Sequence, residues 1–196
     1  KMFNEYLETG GFPAVIDSPN RKELLREYFR VMFYRDLAER HGIKDFRLLE
    51  DYLTLLIDQT SALFSVTATA KKLVEFGHSP GKTTLSNFLK FAEDAFLVFG
   101  IKKYSYKMRE QMRAPRKIYA IDHGLVRTVR FAFTEDRGRM LENVAFLYLC
   151  RGSRDIYYHQ ALRECDFLEV EGGRVAEALQ ISQTVTQPKT REREIQ

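Results

Sequence analysis

The chain has 196 residues, 44% apolar and 30% charged, with a net charge of +4 and a pI near 9.0. That balance describes a globular protein of one large or two small domains, and it admits an anionic partner without demanding one. No apolar run nears the roughly 18 residues of a membrane span, and the two cysteines, Cys150 and Cys165, lack metal-ligand spacing and suit a reducing, cytoplasmic compartment.

Residues 1–44 read as helical, with one break at TGGFPAVIDSPN, where Gly10-Gly11, Pro13 and Pro19 punctuate the pattern. Beyond it, Leu24, Leu25, Tyr28, Phe29, Met32 and Phe33 recur at helical spacing and predict a core-facing stripe. The chain opens KMF, with no initiator methionine in first place, which reads as a trimmed piece of something longer. Arg35-Asp36 and Glu39-Arg40 are expected to be surface or interhelical ion pairs. The four histidines are too scattered for a histidine-rich metal site.

Residues 45–114 predict a winged helix-turn-helix. RLLEDYLTLLIDQTSALF is an amphipathic helix, SVTATAKKLVEF a second, and TTLSNFLKFAEDA a third, followed by strand-like FLVFGIKKYSY and RKIYAID. Between the last two helices, FGHSPGKTTLSNFLK resembles a phosphate-binding loop. Only His78, Ser79 and Pro80 separate Gly77 from Gly81, however, where the P-loop needs four residues. Pro80 also removes an amide from the cradle, and the preceding segment has helical rather than strand periodicity. The segment is therefore read as the turn before a recognition helix, capped by Thr83 or Thr84, with Leu85, Phe88, Leu89 and Ala92 facing inward. ATP binding is not expected here.

Residues 115–196 predict a third unit: an apolar helix GRMLENVAFLYLC with one conspicuous acid, Glu142, then strands DIYYHQ, ECDFLEV and RVAEALQIS. The last two join through Glu171-Gly172-Gly173, a tight hairpin signal. Asp122-His123 follows strand KIYAI and is expected to form a turn or N-cap, since no nucleophile motif accompanies it. TREREIQ starts a helix that stops in register, so the C-terminal edge also reads as truncated.

Two constellations carry chemistry. The first is Glu142 on a helix, Asp166 on a strand and, after a hairpin, Gln180 and Ser182. Period-two alternation places Asp166 with Glu164 and Leu168, and Gln180 with Ala178 and Ser182, opposite Glu177. The order resembles a PD-(D/E)xK nuclease core, in which two or three oxygen ligands hold Mg²⁺ and a lysine assists hydrolysis. Here Gln180 stands for the second acid and Ser182 for the lysine, and no lysine lies between Asp166 and Lys189. An inactive scaffold is the favoured reading, with Glu142 and Asp166 a polar pair satisfied by its neighbours. Mg²⁺-dependent cleavage through Glu142, Asp166 and Gln180 is the alternative, with Glu142 and Asp166 as metal ligands.

The second constellation is basic. Lys82, Thr84, Asn87 and Lys90 are the outward positions of the recognition helix. Lys102, Lys103, Lys107, Arg109, Arg113, Arg116 and Lys117, interleaved with Tyr104 and Tyr106, surround the wing. A helix in a major groove with a phosphate-tracking wing accounts for both sets, giving DNA as the expected partner. Lysines shielding a hairpin edge, or a protein partner, account for them too.

FNEYLETGGFPAVI, YRDLAERHGIKD, KIYAIDHGL, GRMLENVAFLYL, ECDF and LQIS…TREREI, in this order, resemble the C-terminal half of a prokaryotic, archaeal-type group of AAA+ ATPases. The resemblance covers essentially the whole chain. It implies an α/β (α+β) fold: a helical connection from an absent ATPase core, a winged helix, and a degenerate restriction-endonuclease-like domain. It also implies ATP and Mg²⁺ in the parent protein and none in this piece, with Gln180 and Ser182 matching the degenerate form of the site. A free-standing winged-helix regulator is a third expectation.

Overall fold

The computed structural model describes residues 2–129, 137–160 and 164–182, so the helix expected over TREREIQ lies outside the described residues. The fold is mixed α and β, as the sequence predicts: helices dominate the first half, and one six-stranded mixed sheet runs through the second.

Helices α1 (Met2–Thr9), α2 (Pro13–Ile16) and α3 (Arg21–Val31) make up the expected helical section. α3 continues as a π-helical stretch over Met32–Glu39. The predicted stripe is core-facing, with Leu25 and Phe33 buried and Leu24, Tyr28, Phe29 and Met32 packed on the same cluster. Past it, the His41 ring stacks on Phe91 of the third helix of the next unit, centroids 3.6 Å apart.

That unit begins with α4 (Phe46–Asp58), whose N-cap Asp45 accepts a hydrogen bond from the Leu48 N–H at 3.0 Å. Leu49, Tyr52, Leu53, Leu56 and Ile57 fill the core from one face. β1 (Ala62–Phe64), α5 (Val66–Glu75, capped by Ser65) and α6 (Lys82–Asp94) follow. Gly77 ends α5 in the left-handed region (φ +88°), and the His78 N–H returns to the Leu73 carbonyl at 2.9 Å. The His78 imidazole lies 2.6 Å from an Asp51 carboxylate oxygen, tying the turn to α4. So the Gly-Lys-Thr segment leaves a helix and not a strand, as its periodicity indicates. The expected cap is corrected: α6 starts at Lys82 with Gly81 in the cap position, and Thr83 and Thr84 already lie inside it. The Leu85 N–H closes the first turn onto the Gly81 carbonyl at 3.2 Å, which is earlier than a threonine cap would allow.

β2 (Val98–Lys103) and β3 (Arg116–Ala120) pair antiparallel, and β1 pairs on the far side of β3, giving the order β1-β3-β2. The sequence predicts helix, helix, turn, helix and a two-stranded hairpin; the structure adds β1, because the first helix, expected to run on through TSALF, ends at Asp58 and Ala62–Phe64 pairs with β3 instead. The pairing crosses the expected boundary between residues 114 and 115, since β3 completes this sheet. The connection between β2 and β3 is not a plain wing, because it contains the short helix α7 (Met108–Arg113).

α8 (His123–Val129) and α9 (Arg137–Leu149) lead to β4 (Asp155–Gln160), β5 (Glu164–Glu171) and β6 (Arg174–Leu179), the last two forming the predicted Gly172-Gly173 hairpin. β4 runs parallel to β2 but shares only the pairs Lys102–Tyr157 and Lys103–Tyr158 with it. That slender joint lets the sheet curl. In a flat sheet β3 and β5, three positions apart, would be separated by roughly 14 Å, yet the Tyr119 and Phe167 rings meet at 5.4 Å. Around them Ile101, Phe146, Leu149 and Tyr158 form a second buried cluster. The curl brings β3 to the predicted acidic pair.

One junction ties the first section to the rest. Asp122 caps α8 through the Leu125 N–H (3.1 Å) and also accepts the Gly11 N–H (2.6 Å), while the His123 ring hydrogen-bonds the Tyr6 carbonyl. The expected N-cap role is correct, and the same carboxylate explains Gly10, while a Cβ at Gly11 would meet the Tyr6 ring at 2.8 Å. Gly10 is left-handed (φ +80°), and a Cβ there would stand 2.1 Å from an Asp122 oxygen.

Candidate functional site

Along β3, Lys117 and Tyr119 point to one face and Ile118 to the other. α9 is held against the end of this strand by Asn143, fully buried, whose side-chain amide accepts from the Ala120 N–H (2.9 Å) and donates to the Ala120 carbonyl (3.1 Å). One turn along α9, Phe146 stacks on the Tyr119 ring with centroids 4.2 Å apart. This registration delivers Glu142 to the Tyr119 hydroxyl, which donates to Glu142 Oε1 at 2.7 Å. Asp166 arrives from β5 across the curled sheet.

Between the two acids lies a lysine from β3, Lys117. Lys117 Nζ is 2.7 Å from Glu142 Oε1 and 2.8 Å from Asp166 Oδ1, and the three side chains are 13%, 12% and 13% exposed. Burial works against the ammonium charge, but the two carboxylates outweigh it and raise the Lys117 pKa above its ordinary value. Burial pushes Glu142 above the usual carboxylate range, with Asp166 adding to the rise while Lys117 opposes it. Burial, reinforced by Glu142, keeps the Tyr119 phenol neutral far into alkali. One ammonium thus serves two acids.

Gln180 and Asp166 meet as predicted, but their oxygens are turned to the backbone. Gln180 Oε1, the atom a metal would use, accepts the Asp166 N–H at 3.1 Å. Asp166 Oδ2 accepts the Ile181 N–H at 3.0 Å, leaving Oδ1 to Lys117. Ser182 follows the end of β6. Glu177 stands on the other face, as its parity requires: it is opposite Glu169 in the β5–β6 register and 3.7 Å from Arg154. Among the described residues no group of three or more histidine, cysteine or acidic side chains is placed to hold a metal ion. The donor set therefore does not fit Mg²⁺: two acids share a resident cation, and the candidate third ligand is engaged elsewhere. Sequence reasoning misses this lysine. It places Lys117 with the wing cations, although parity with Tyr119 in RKIYAI marks the side chain as inward.

The basic residues divide differently from the expectation. On α6, Lys82, Thr84, Asn87 and Lys90 are exposed, while Leu85, Phe88, Leu89 and Ala92 are buried. Lys102 is exposed on β2. Arg116 is withdrawn from the wing by Glu93, with contacts of 2.6 and 2.8 Å, and Lys117 by the acids. Lys103 pairs with Glu110 at 2.8 Å. With Lys107, Arg109 and Arg113 it lines an open cleft of about 640 Å³ between α7 and β4. Cys150 and Cys165 are both free thiols. No helix among the described residues is long and apolar enough to cross a membrane.

Architecture and site together define an α+β protein in which a helical layer is joined, through a six-stranded mixed sheet, to a carboxylate–lysine centre. The chain belongs to the family described as Domain of unknown function (DUF8612), whose match spans residues 1–136. It is 34% identical over 154 residues to an uncharacterized protein, MJ1544, of Methanocaldococcus jannaschii, covering 77% of this chain and 34% of that protein. An uncharacterized protein of Haemophilus influenzae is 28% identical over 153 residues, covering 77% of this chain and 38% of that protein. The chain thus spans little more than a third of the curated relatives it matches. No solved structure matches it.

Proposed function

We propose that this chain is a non-catalytic, cytoplasmic recognition arm that grips duplex DNA, carried by a longer protein of the AAA+ ATPase type. The observation that carries the reading is the two-sided α6. Its inner face is fully committed to the core, while Lys82, Thr84, Asn87 and Lys90 stand outward on a helix that follows a tight turn. Such a helix presents amide and cationic groups to base edges and phosphates. The greater length of the relatives favours a larger parent, in which ATP and Mg²⁺ would bind outside this segment. The nuclease-like centre serves as scaffold: Lys117 neutralises the acids that would otherwise hold a metal. A protein partner at the same face is the competing reading.

The test is binding to a mixed-sequence 24-base-pair duplex over a salt series. K82A/K90A should weaken binding and make log K against log salt shallower by about 1.8, from roughly 0.9 for each phosphate no longer neutralised. Unchanged affinity and slope would defeat the DNA reading. ATP hydrolysis by this chain alone is expected to be undetectable.

A further inference from the structure

The cleft beside α7 is separate from the α6 face, and its chemistry differs. Lys107, Arg109 and Arg113 make no ion pair among the described residues, and Arg109 and Arg113 stand four residues apart, on one side of the helix. The cleft's one acid, Glu110, is neutralised by Lys103 and also accepts from Ser105 at 3.0 Å. The lining thus carries four cationic groups against a single acid. The opposite wall is firm: the Tyr158 hydroxyl donates to the Pro115 carbonyl at 2.5 Å, and Gln160 belongs to the same strand.

Beside these cations in the chain stands Tyr106, 89% exposed and too open to be part of a core. It is not loose, however. Its ring meets Tyr104 edge-on at 5.4 Å, and Tyr104 in turn meets Tyr157 of β4 at 5.8 Å. A braced, exposed aromatic ring directly before Lys107 in the chain suits a nucleic-acid strand with unpaired bases, because stacking needs an exposed ring and the cations track the phosphates. A duplex hides its base faces and would use the cations alone.

We infer that the α7 cleft binds single-stranded nucleic acid, with bases on Tyr106 and phosphates at Lys107, Arg109 and Arg113. This goes beyond duplex recognition at α6 and stands or falls separately from it.

The experiment measures fluorescence anisotropy of labelled dT20 with the 196-residue chain over a salt series, with unlabelled duplex and heparin as competitors. K107A/R109A/R113A should make the salt dependence shallower by about 2, from roughly 0.7 per phosphate on a single strand. Y106A should weaken dT20 binding about fivefold or more, and Y106F should restore it. K82A/K90A should leave dT20 binding unchanged while weakening the duplex. All these side chains are exposed, so thermal unfolding should not move. The inference is overturned if the triple variant binds dT20 like the unaltered chain. It is also overturned if Y106A is silent and heparin or duplex displaces dT20 equally, since the cleft would then be a general polyanion patch, or if the cleft engages only a protein.

Discussion

Lys117 is one residue performing what a bound cation performs in a metal-dependent site: it holds two buried carboxylates together. Deleting one partner of a buried charge cluster leaves the others uncompensated, at a cost of about 3–5 kcal/mol. K117M should lower unfolding free energy by that amount at pH 7, measured by denaturant unfolding. Part of the loss should return as the pH is lowered toward about 5. The sign follows from the raised Glu142: an acid whose folded pKa lies above its unfolded value stabilises below the unfolded value, and that contribution fades as pH rises through the folded value. Without the ammonium, which opposes the rise, Glu142 is expected to move further in that direction. K117M/E142Q/D166N should recover most of the stability, because neutral groups of similar shape replace the whole set and the acceptors for Tyr119 and Ile181 survive. In the unaltered chain, Lys117 and Tyr119 both have raised values, so their contributions hold through neutrality and fade above about pH 10, the ordinary range of both groups. A single variant that costs nothing would contradict this account of the centre.

At the scale of elements, the Asp122 junction is the most demanding piece of local geometry. D122A removes the α8 cap and the acceptor of the Gly11 N–H together, and the expected loss is about 2–3 kcal/mol, a cap and a buried hydrogen bond combined. G10A should also destabilise, by at least about 1 kcal/mol, since a left-handed backbone and the Asp122 oxygen both oppose a Cβ. Thermal unfolding of either variant checks this; a melting point within a degree of the unaltered chain's would refute it. These elements also show what is readable in the chain. Helical stripes such as Leu48 to Ile57, the Gly172-Gly173 hairpin and the Asp122 cap are legible because each signal lies within a few residues. The α6 cap is misplaced by sequence because Gly81 leaves no polar side chain to mark it. The helix α7 escapes notice because MREQMR is only six residues long and its i, i+4 methionines, Met108 and Met112, stay exposed and join no core.

For the whole molecule, the decisive geometry is invisible in the linear pattern. Order and parity pick out Glu142, Asp166 and Gln180, and these do converge. Lys117 joins them only because β2 and β4 share two residue pairs and the sheet curls, a tertiary fact with no local signature. The narrow joint has a consequence for binding: the α6 face belongs to the layer that the DUF8612 match covers, whereas β4 to β6 lie beyond residue 136. Duplex affinity is therefore expected to be set by the first layer, with K117M at native temperature changing it by less than about twofold in the same salt series. The central claim, that a lysine has taken the metal's place and silenced the centre, is tested most directly by incubating the chain with supercoiled plasmid and Mn²⁺. The account predicts that the plasmid stays supercoiled at every Mn²⁺ concentration; nicking by the unaltered chain that D166A abolishes would contradict it.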